Sequence, residues 1–321
     1  MSQPRSFLLR LPLIRSLIRI SKKIILPGFE GVPLYDVIVF FFRKLNTNSL
    51  NERAAAISFN FIMAIPPACI FLFSLVPLLP AAEQLSQEIM KFVHDLTPNE
   101  QARSFVGNFL DDFLGRPQNS LLSIGFIIAV FYSSSAVLGI IHSFNQSIHE
   151  KEPKGFWVYR WKAIKLTVII LLLFIASMLI LMTQGTVFNW LLGLLNINDQ
   201  TIKTAIQLVR WLLIVGLFFY SIAFIYRHAP MVEKKWKLIS PGSILACTLL
   251  ILFTFLFSFW INNYATYNKI YGPIGTVMIL MILIYSNSLV LLIGFELNVS
   301  IRSLKKQAEH REKEEYRVQR H

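Results

Sequence analysis

Six long apolar stretches constrain this chain more than any other feature of its sequence. A helix needs about 20 mostly apolar residues to cross the hydrocarbon core of a bilayer. Charged residues make up only 15% of the 321, against about 25% in soluble domains, and they lie almost entirely between the stretches. The sequence therefore predicts an all-α polytopic membrane protein with about six transmembrane helices. The stretches cover about residues 54–80, 120–141, 163–184, 204–226, 240–261 and 274–300.

The distribution of Lys and Arg predicts the orientation of these helices, because cytoplasmic loops carry an excess of both residues. Nine precede the first stretch, five surround the second connection, four lie in the fourth connection and seven follow the last stretch, which is 25 of the 31 in the chain. We therefore expect both termini in the cytoplasm. The net charge of +13 is interpreted as cytoplasmic loops facing anionic lipid, and no nucleic-acid partner is predicted.

The chain is expected to divide into three parts. Residues 1–53 form a basic, amphipathic, cytoplasmic N-terminal segment, residues 54–301 form the six-span domain, and residues 302–321 form a charged cytoplasmic tail, helical at first and then frayed. Within the span domain, residues 81–118 predict an outer helical hairpin that covers the ends of the spans. A mobile lid over a pore is the alternative interpretation of that hairpin.

The N-terminal segment carries one basic and one apolar helical face between residues 5 and 25. This pattern is typical of a helix that lies on the inner leaflet with its basic face towards anionic headgroups. A helix packed on the protein's own cytoplasmic face is the alternative. The predicted lipid contacts are Arg15, Arg19, Lys22 and Lys23.

Local signals predict where several helices begin or bend. A short helix is expected from Pro33 to about Leu45. Pro66, Pro67 and Pro77 predict a bent or interrupted first span, because proline removes a helical hydrogen bond. Before the fifth span, Ser240 is a predicted N-cap and Pro241 a first-turn residue. A turn at residues 271–273 is expected to set the start of the sixth span.

Polar side chains at membrane depth are costly and are therefore candidates for function. Near the inner face, Glu296 needs a cationic partner, and the sequence offers Arg53 and Arg227. We place Asn145, Asn298 and Glu52 in the same inner layer. Between the layers, the small hydroxyls of residues 133–135 allow close helix packing.

A second polar layer is predicted near the outer face. Arg210 lies about 10 Å inside the outer end of the fourth span at 1.5 Å per residue, so the inner Glu296 is not its expected partner. The hypothesis is that Arg210 faces inward and contacts an anion. The alternatives are static hydrogen-bonded clamps in both layers, or an Arg210 that reaches the outer headgroups. The outer layer comprises Arg210, Gln184, Asn262, Asn263 and Tyr271.

No pattern in the sequence predicts an enzyme. The six histidines lack the spacing of metal ligands, and there is neither a nucleophile elbow nor a phosphate-binding glycine loop. Both cysteines sit within apolar stretches. We predict no catalytic residue, no metal site and no cofactor.

Four short segments resemble signature motifs of the YihY/BrkB family: residues 51–59 (NERAAAISF), 132–135 (YSSS), 271–275 (YGPIG) and 294–298 (GFELN). The likeness covers about residues 34–300, with departures at Pro273 and at Pro66-Pro67. It implies a bacterial inner-membrane protein of six spans with a poorly defined biochemical role. Members were formerly labelled ribonuclease BN, a label that the missing nuclease residues argue against here.

Three functions follow in order of preference. The first is a transporter or translocator of a lipid or an anionic solute, which Arg210 engages from outside and the Glu296 layer from inside. The second is an envelope scaffold that transports nothing, and the third is a ribonuclease. A polar cavity joining the two layers would favour transport, whereas a filled apolar core would favour the scaffold.

Overall fold

The computed structural model describes residues 21–22, 24–45, 49–75, 119–148, 155–182, 200–232, 235–264 and 273–318. Within these residues the chain folds into seven α-helices, which confirms the predicted fold class. The helices are α1 (Leu34–Leu45), α2 (Ser49–Leu75), α3 (Asn119–Ser147), α4 (Phe156–Met182), α5 (Gln200–His228), α6 (Pro241–Tyr264) and α7 (Pro273–Val318).

The described part of each predicted apolar stretch falls on one of the helices α2 to α7. Among the described residues, α2, α3, α5, α6 and α7 are long and apolar enough to cross a membrane. Helix α4 has 27 residues, and its apolar part begins after Arg160, Lys162 and Lys165. The chain is therefore a multi-pass membrane protein.

The contacts between the long helices close into a ring. Each helix from α2 to α6 contacts the next one along the chain, and α7 returns to contact α2. Helix α7 also contacts α3 across this ring. Helices α2, α4 and α6 begin at the same end of the bundle at which α3 and α5 finish. We call this end the basic end, because the sequence places its Lys and Arg clusters there.

The apolar core lies at the basic end. Its buried side chains come from all six helices of the ring and lie within about three turns of their basic ends; on α7 they flank Glu296. At its centre, the rings of Phe144 on α3 and Phe295 on α7 stack with centroids 3.7 Å apart. The ring of Tyr226 on α5 meets both of them edge-on. The ring of helices is thus filled by apolar side chains at this end.

Helix α2 runs through its two prolines without a break. Of the expected bend or interruption, an interruption at these residues is wrong, because Pro66 and Pro67 both lie inside the continuous helix Ser49–Leu75. Pro77, which entered the same prediction, lies outside the described residues. Proline lacks the N–H that would bond the carbonyl four residues earlier. The carbonyls of Ile62 and Met63 therefore lose their usual helical partners, while neighbouring turns keep the helix intact.

The predicted start of α6 is confirmed. The hydroxyl of Ser240 accepts a hydrogen bond from the backbone N–H of Ser243 at 3.2 Å, and its carbonyl accepts one from Ile244 at 3.1 Å. Pro241 is the first helical residue. This is the geometry of an N-cap followed by proline in the first turn.

Helices α6 and α7 approach each other backbone to backbone just after this cap. A Cβ atom added to Gly242 would lie 2.1 Å from the carbonyl oxygen of Gly294, and one added to Gly294 would lie 2.6 Å from the Cβ of Ala246. Only glycine at both positions permits this separation. The contact fixes the register of α7 directly beside Glu296.

Helix α1 confirms the predicted short helix. Its buried Val37 packs with Phe29, Val32 and Ile301, so α1 lies against α7. Helix α7 itself continues through the predicted tail to Val318, whereas fraying of that tail was expected. The predicted outer hairpin and most of the predicted N-terminal helix lie outside the described residues, as do Arg15, Arg19 and Lys23.

Candidate functional site

Glu296 of α7 is the centre of a buried polar site at the basic end. Only 3% of its surface is exposed. Its Oε1 accepts a hydrogen bond from Arg53 Nη2 at 2.7 Å and another from the hydroxyl of Ser147. Its Oε2 lies 3.4 Å from the Nζ of Lys44. The predicted pairing with Arg53 is confirmed, whereas Arg227, the other predicted partner, does not contact this carboxylate.

Arg53 uses its remaining donors on α2 and α3. Its Nε donates to the carbonyl of Ser49 at 3.2 Å, and its Nη1 donates to the carbonyl of Ser143 at 3.0 Å and to the hydroxyl of Ser147. Together with Glu296 and Lys44, these bonds join α1, α2, α3 and α7. We call this group the Arg53–Glu296 clamp. Sequence reasoning missed Lys44, Ser143 and Ser147.

Asn298 joins α7 to the start of α6. Its Oδ1 accepts from the backbone N–H of Gly242 at 2.8 Å, and its Nδ2 donates to the hydroxyl of Ser240 at 2.8 Å. One side chain thus completes the α6 cap, because it accepts from the first-turn N–H of Gly242, which has no acceptor within its own helix, and also bonds the N-cap hydroxyl of Ser240. Asn298 is buried as predicted, and its observed bonds are structural.

Asn145 makes a similar joint between α3 and the segment after α5. Its Oδ1 accepts from the backbone N–H of Met231 at 2.8 Å. Lys162 of α4 bonds the neighbouring carbonyl of Pro230 at 2.9 Å, and Tyr226 bonds the carbonyl of Leu291 at 2.6 Å. Every helix of the ring is therefore tied by a polar side chain at the basic end. Glu52, which was predicted in this layer, is exposed on α2.

Arg160 forms a polar joint that sequence reasoning missed. Its Nη1 donates to the hydroxyl of Ser135 at 2.9 Å, and its Nη2 donates to the carbonyl of Phe131 at 2.9 Å. The guanidinium also lies 3.9 Å from the centroid of the Phe131 ring, a cation–π contact. Ser134 and Ser135 bond the same carbonyl. The predicted hydroxyl cluster thus receives an arginine from α4.

Arg210 of α5 is the second buried arginine among the candidates. Only 7% of its surface is exposed, while Leu208, Val209, Trp211 and Leu212 beside it are each more than half exposed. Its side chain therefore faces the bundle, as hypothesised. Its Nε and Nη2 are buried and have no hydrogen-bond partner among the described residues. The Trp211 ring centroid lies 5.9 Å from its Cζ.

Arg227 is half-buried at the basic end of α5. Its Nε has no hydrogen-bond partner in the described part of the chain, and the same is true of Asn145 Nδ2 and Trp236 Nε1. Buried donors without acceptors are rare in folded proteins. The predicted outer partners of Arg210 lie outside the described residues or have side chains outside them: Gln184, Asn262, Asn263 and Tyr271.

The described part of the chain contains no group of three His, Cys, Asp or Glu side chains placed to hold a metal ion. Most polar groups of the basic end instead bond one another or backbone atoms. This arrangement can hold helices together, and breaking the Arg53–Glu296 clamp would remove the polar contacts of α2 and α3 with the carboxylate of α7.

Comparison with known proteins places this architecture among membrane proteins. The profile of the family described as virulence factor BrkB matches residues 41–319. The ribonuclease-like protein YfkH of Bacillus subtilis is 23% identical over 83% of this chain and 94% of its own length. The UPF0761 membrane protein IL2447 of Idiomarina loihiensis is 22% identical over 82% of this chain and 89% of its own length.

A third relative is longer than this chain. The UPF0761 membrane protein Smlt0865 of Stenotrophomonas maltophilia is 25% identical over 84% of this chain, and the matched region spans 61% of the relative's length. No solved structure matches the chain.

Proposed function

The chain belongs to the virulence factor BrkB family, and from this premise and the geometry above we propose that it moves a lipid or an anionic solute across a bacterial inner membrane. In this proposal the basic end faces the cytoplasm, because the excess of Lys and Arg lies there. Both termini are then cytoplasmic, and Arg210 lies towards the opposite face.

The burial of Arg210 without a partner carries the proposal. A guanidinium presents five N–H donors in a fixed fork and stays charged at all ordinary pH values. Its Nε and Nη2 are buried without an acceptor among the described residues. An ionisable group held in this way at membrane depth is a functional candidate, and its natural ligand is a phosphate or carboxylate that accepts two hydrogen bonds.

A transport pathway in this chain would be closed at the filled basic end. The stacked rings of Phe144 and Phe295 occupy the centre of the ring of helices, and the Arg53–Glu296 clamp lies next to them. An anion at Arg210 could proceed only after α7 separates from α2 and α3. In this proposal the clamp is the gate, and breaking it opens the cytoplasmic side.

The test reconstitutes the full chain into liposomes with two probes. In the lipid arm, dithionite bleaches NBD-labelled phosphatidylglycerol that has reached the outer leaflet. In the solute arm, radiolabelled phosphate leaves the vesicles. We expect one arm to exceed protein-free liposomes and Arg210→Gln to slow it by about tenfold or more, because a charge-assisted hydrogen bond contributes about 1.5–3 kcal/mol.

Two further variants sharpen that test. Arg210→Lys keeps the charge but loses the bidentate fork, so we expect an intermediate rate. Lys313→Gln removes one positive charge from the exposed part of α7 and should transport at the rate of the unmodified chain. Transport proposed here is wrong if neither probe moves faster than in protein-free liposomes, or if Lys313→Gln slows it as much as Arg210→Gln.

An envelope scaffold is the second candidate, and the filled core favours it. Polar joints tie all six long helices at the basic end, which suits a rigid platform as well as a closed gate. The two functions separate experimentally, because a scaffold would leave both flux arms silent while Arg53→Gln still impaired growth under envelope stress.

We also propose that the chain is not a ribonuclease. The name of the Bacillus relative is the observation in favour of that activity, whereas the described residues contain no group of three His, Cys, Asp or Glu side chains that could hold a catalytic metal ion. Detergent-purified protein, freed of contaminating nucleases, should leave transfer RNA intact in the presence of Mg²⁺. Cleavage of transfer RNA that disappears when a variant of the chain is purified in the same way would contradict this proposal.

A further inference from the structure

A cavity of about 270 Å³ lies at the basic end, outside the clamp and far from Arg210. One wall is a single face of α7, formed by Val299, Arg302, Ser303, Lys306 and Gln307. These residues follow the spacing i, i+3, i+4, i+7 and i+8, which places them on one side of a helix. This wall of the cavity is therefore one side of a regular helix, and the helix fixes the order of the polar side chains along the wall.

The polar wall favours an anion. Arg302 supplies a planar fork of donors and Lys306 a compact ammonium, while Ser303 and Gln307 add neutral hydrogen-bonding groups. None of the described residues that line this cavity is acidic. A ligand that accepts hydrogen bonds and carries negative charge thus meets donors without meeting a repelling carboxylate.

The opposite wall is apolar. Phe40 of α1, Ile148 after α3 and Trp236 before α6 form much of it. The ring of Trp236 packs edge-on against Phe295 with centroids 4.9 Å apart, which holds the indole in place. Its centroid lies 5.8 Å from Cζ of Arg302, so the indole also positions the guanidinium at the junction of the two walls.

A neighbouring cavity on the same helix has a different set of charged lining residues. That cavity has about 590 Å³ and lies between α1 and the end of α7. Its described lining combines three basic residues with four acidic ones: Arg43, Lys305, Arg311, Glu30, Asp36, Glu309 and Glu312. Mixed charge of this kind gives no preference for an anion, whereas the charged residues in the described lining of the smaller cavity, Arg302 and Lys306, are both basic.

We propose that the smaller cavity binds a phosphate ester. The phosphate lies between Arg302 and Lys306, and the carbon-bearing part of the ligand packs against Phe40 and Trp236. The chemistry is shared by two sources, the headgroup of an anionic phospholipid and a soluble sugar or glycerol phosphate. The site is separate from Arg210, so it stands whether or not the chain transports anything.

The test measures thermal unfolding of the full chain in neutral detergent micelles. The lipid probe is dioleoyl phosphatidylglycerol, and the soluble probe is glycerol 3-phosphate, both at matched ionic strength. We expect at least one probe to raise the melting temperature in a saturable manner. Arg302→Gln combined with Lys306→Gln should weaken the apparent affinity about tenfold or more, because two charge-assisted contacts are lost.

The matched control is Arg311→Gln combined with Lys313→Gln, which removes the same two charges from the same helix beyond the cavity. It should keep the affinity of the unmodified chain. Stabilisation by the lipid alone identifies a headgroup site, by glycerol phosphate alone a soluble ligand, and by both a site for which the phosphate suffices. The proposal is overturned if neither probe stabilises the chain or if both double variants lose affinity equally.

A single change keeps the test decisive if the double variant unfolds. Lys306 is exposed, so Lys306→Gln should still fold in the absence of probe. It should still weaken binding, and unchanged affinity in this variant would contradict the site.

Discussion

Arg53 and Arg210 are equally buried, each with 7% of its surface exposed, yet their surroundings differ completely. Arg53 donates to a carboxylate, a hydroxyl and two carbonyls. Arg210 leaves Nε and Nη2 without partners among the described residues. Burial alone therefore does not distinguish a structural arginine from a functional one. In our proposal the hydrogen-bond partners make the difference, because the satisfied guanidinium of Arg53 holds helices together and the unsatisfied one of Arg210 binds a ligand.

The helices are also packed more tightly around Arg53 than around Arg210. Near Arg53 the helices are filled with large apolar side chains and α6 touches α7 at glycine. Around Arg210 most neighbours on α5 point outwards, and a Cβ atom added to Gly216 of the same helix would meet nothing within 4 Å. Substitutions should accordingly be costly near the clamp and mild on the part of α5 around Arg210 and Gly216.

The largest expected effect is in a topology experiment, which tests whether Arg53 and Arg210 lie towards opposite faces of the membrane. A reporter that is active only outside the cytoplasm should be silent when fused after residue 155, 235 or 310 and active after residue 100 or 195. The result is all-or-none, because each point lies in a different connection or in the tail, and therefore on one side of the membrane. Reversal at any one of these points would break the six-span topology and the assignment of Arg210 to the outer side.

Next in size is the loss of charge at the clamp. Glu296→Gln should lower the free energy of unfolding by about 3–5 kcal/mol, because Arg53 then remains buried without a counter-charge. Chemical denaturation in detergent micelles measures it. Combining Glu296→Gln with Arg53→Gln should recover part of the loss, and Glu315→Gln, at an exposed position of the same helix, should have little effect. A mild effect of Glu296→Gln alone would mean that the clamp does not hold the helices.

The glycine contact gives a smaller, paired prediction. Gly242→Ala should cost about 1–3 kcal/mol or more, because the added Cβ would collide with the backbone of Gly294. Gly216→Ala in α5 should instead stabilise the chain by about 0.5–1 kcal/mol, since alanine favours a helix and the space is open. The same denaturation experiment compares them. Equal effects would show that the two regions are packed alike.

The smallest expected effect on stability is at Arg210. Arg210→Gln removes a buried charge that has no partner among the described residues, so the free energy of unfolding should stay within about 1 kcal/mol of the original value or rise. A melting curve in detergent reports it. If stability falls as far as in Glu296→Gln, Arg210 has a structural partner and loses its standing as an anion contact.

The sequence predicted two kinds of feature. Some depend on residues that are adjacent in the chain, and others depend on how deep a residue lies in the membrane. Long apolar stretches are enough to place the helices, because lipid contact imposes composition on each one separately. The Ser240-Pro241 cap could be predicted because it depends on adjacent residues. Arg53 could be paired with Glu296 because both lie at the same depth and carry opposite charges.

Other contacts left no comparable pattern in the sequence. Arg160 bonds the carbonyl of Phe131, and a backbone acceptor looks the same at every position. Ser143 and Ser147 lie one turn apart on α3, which was the available sign that both face one partner, but serine is too common in membrane helices to single them out. The choice between Arg53 and Arg227 depended on how the helices rotate, and that is determined by packing at Gly242 and Gly294.

The unbroken course of α7 has a mechanical consequence. Its 46 residues extend about 69 Å at 1.5 Å per residue, and about 33 Å of that length lies between Glu296 and Val318. A rigid rod of this kind is a lever that pivots where the clamp and α1 hold it, between Glu296 and Ile301. A tilt of about 10° there would swing the tip by about 6 Å for an arm of that length. A force applied at the tip would conversely act as torque on the carboxylate that joins α7 to α2.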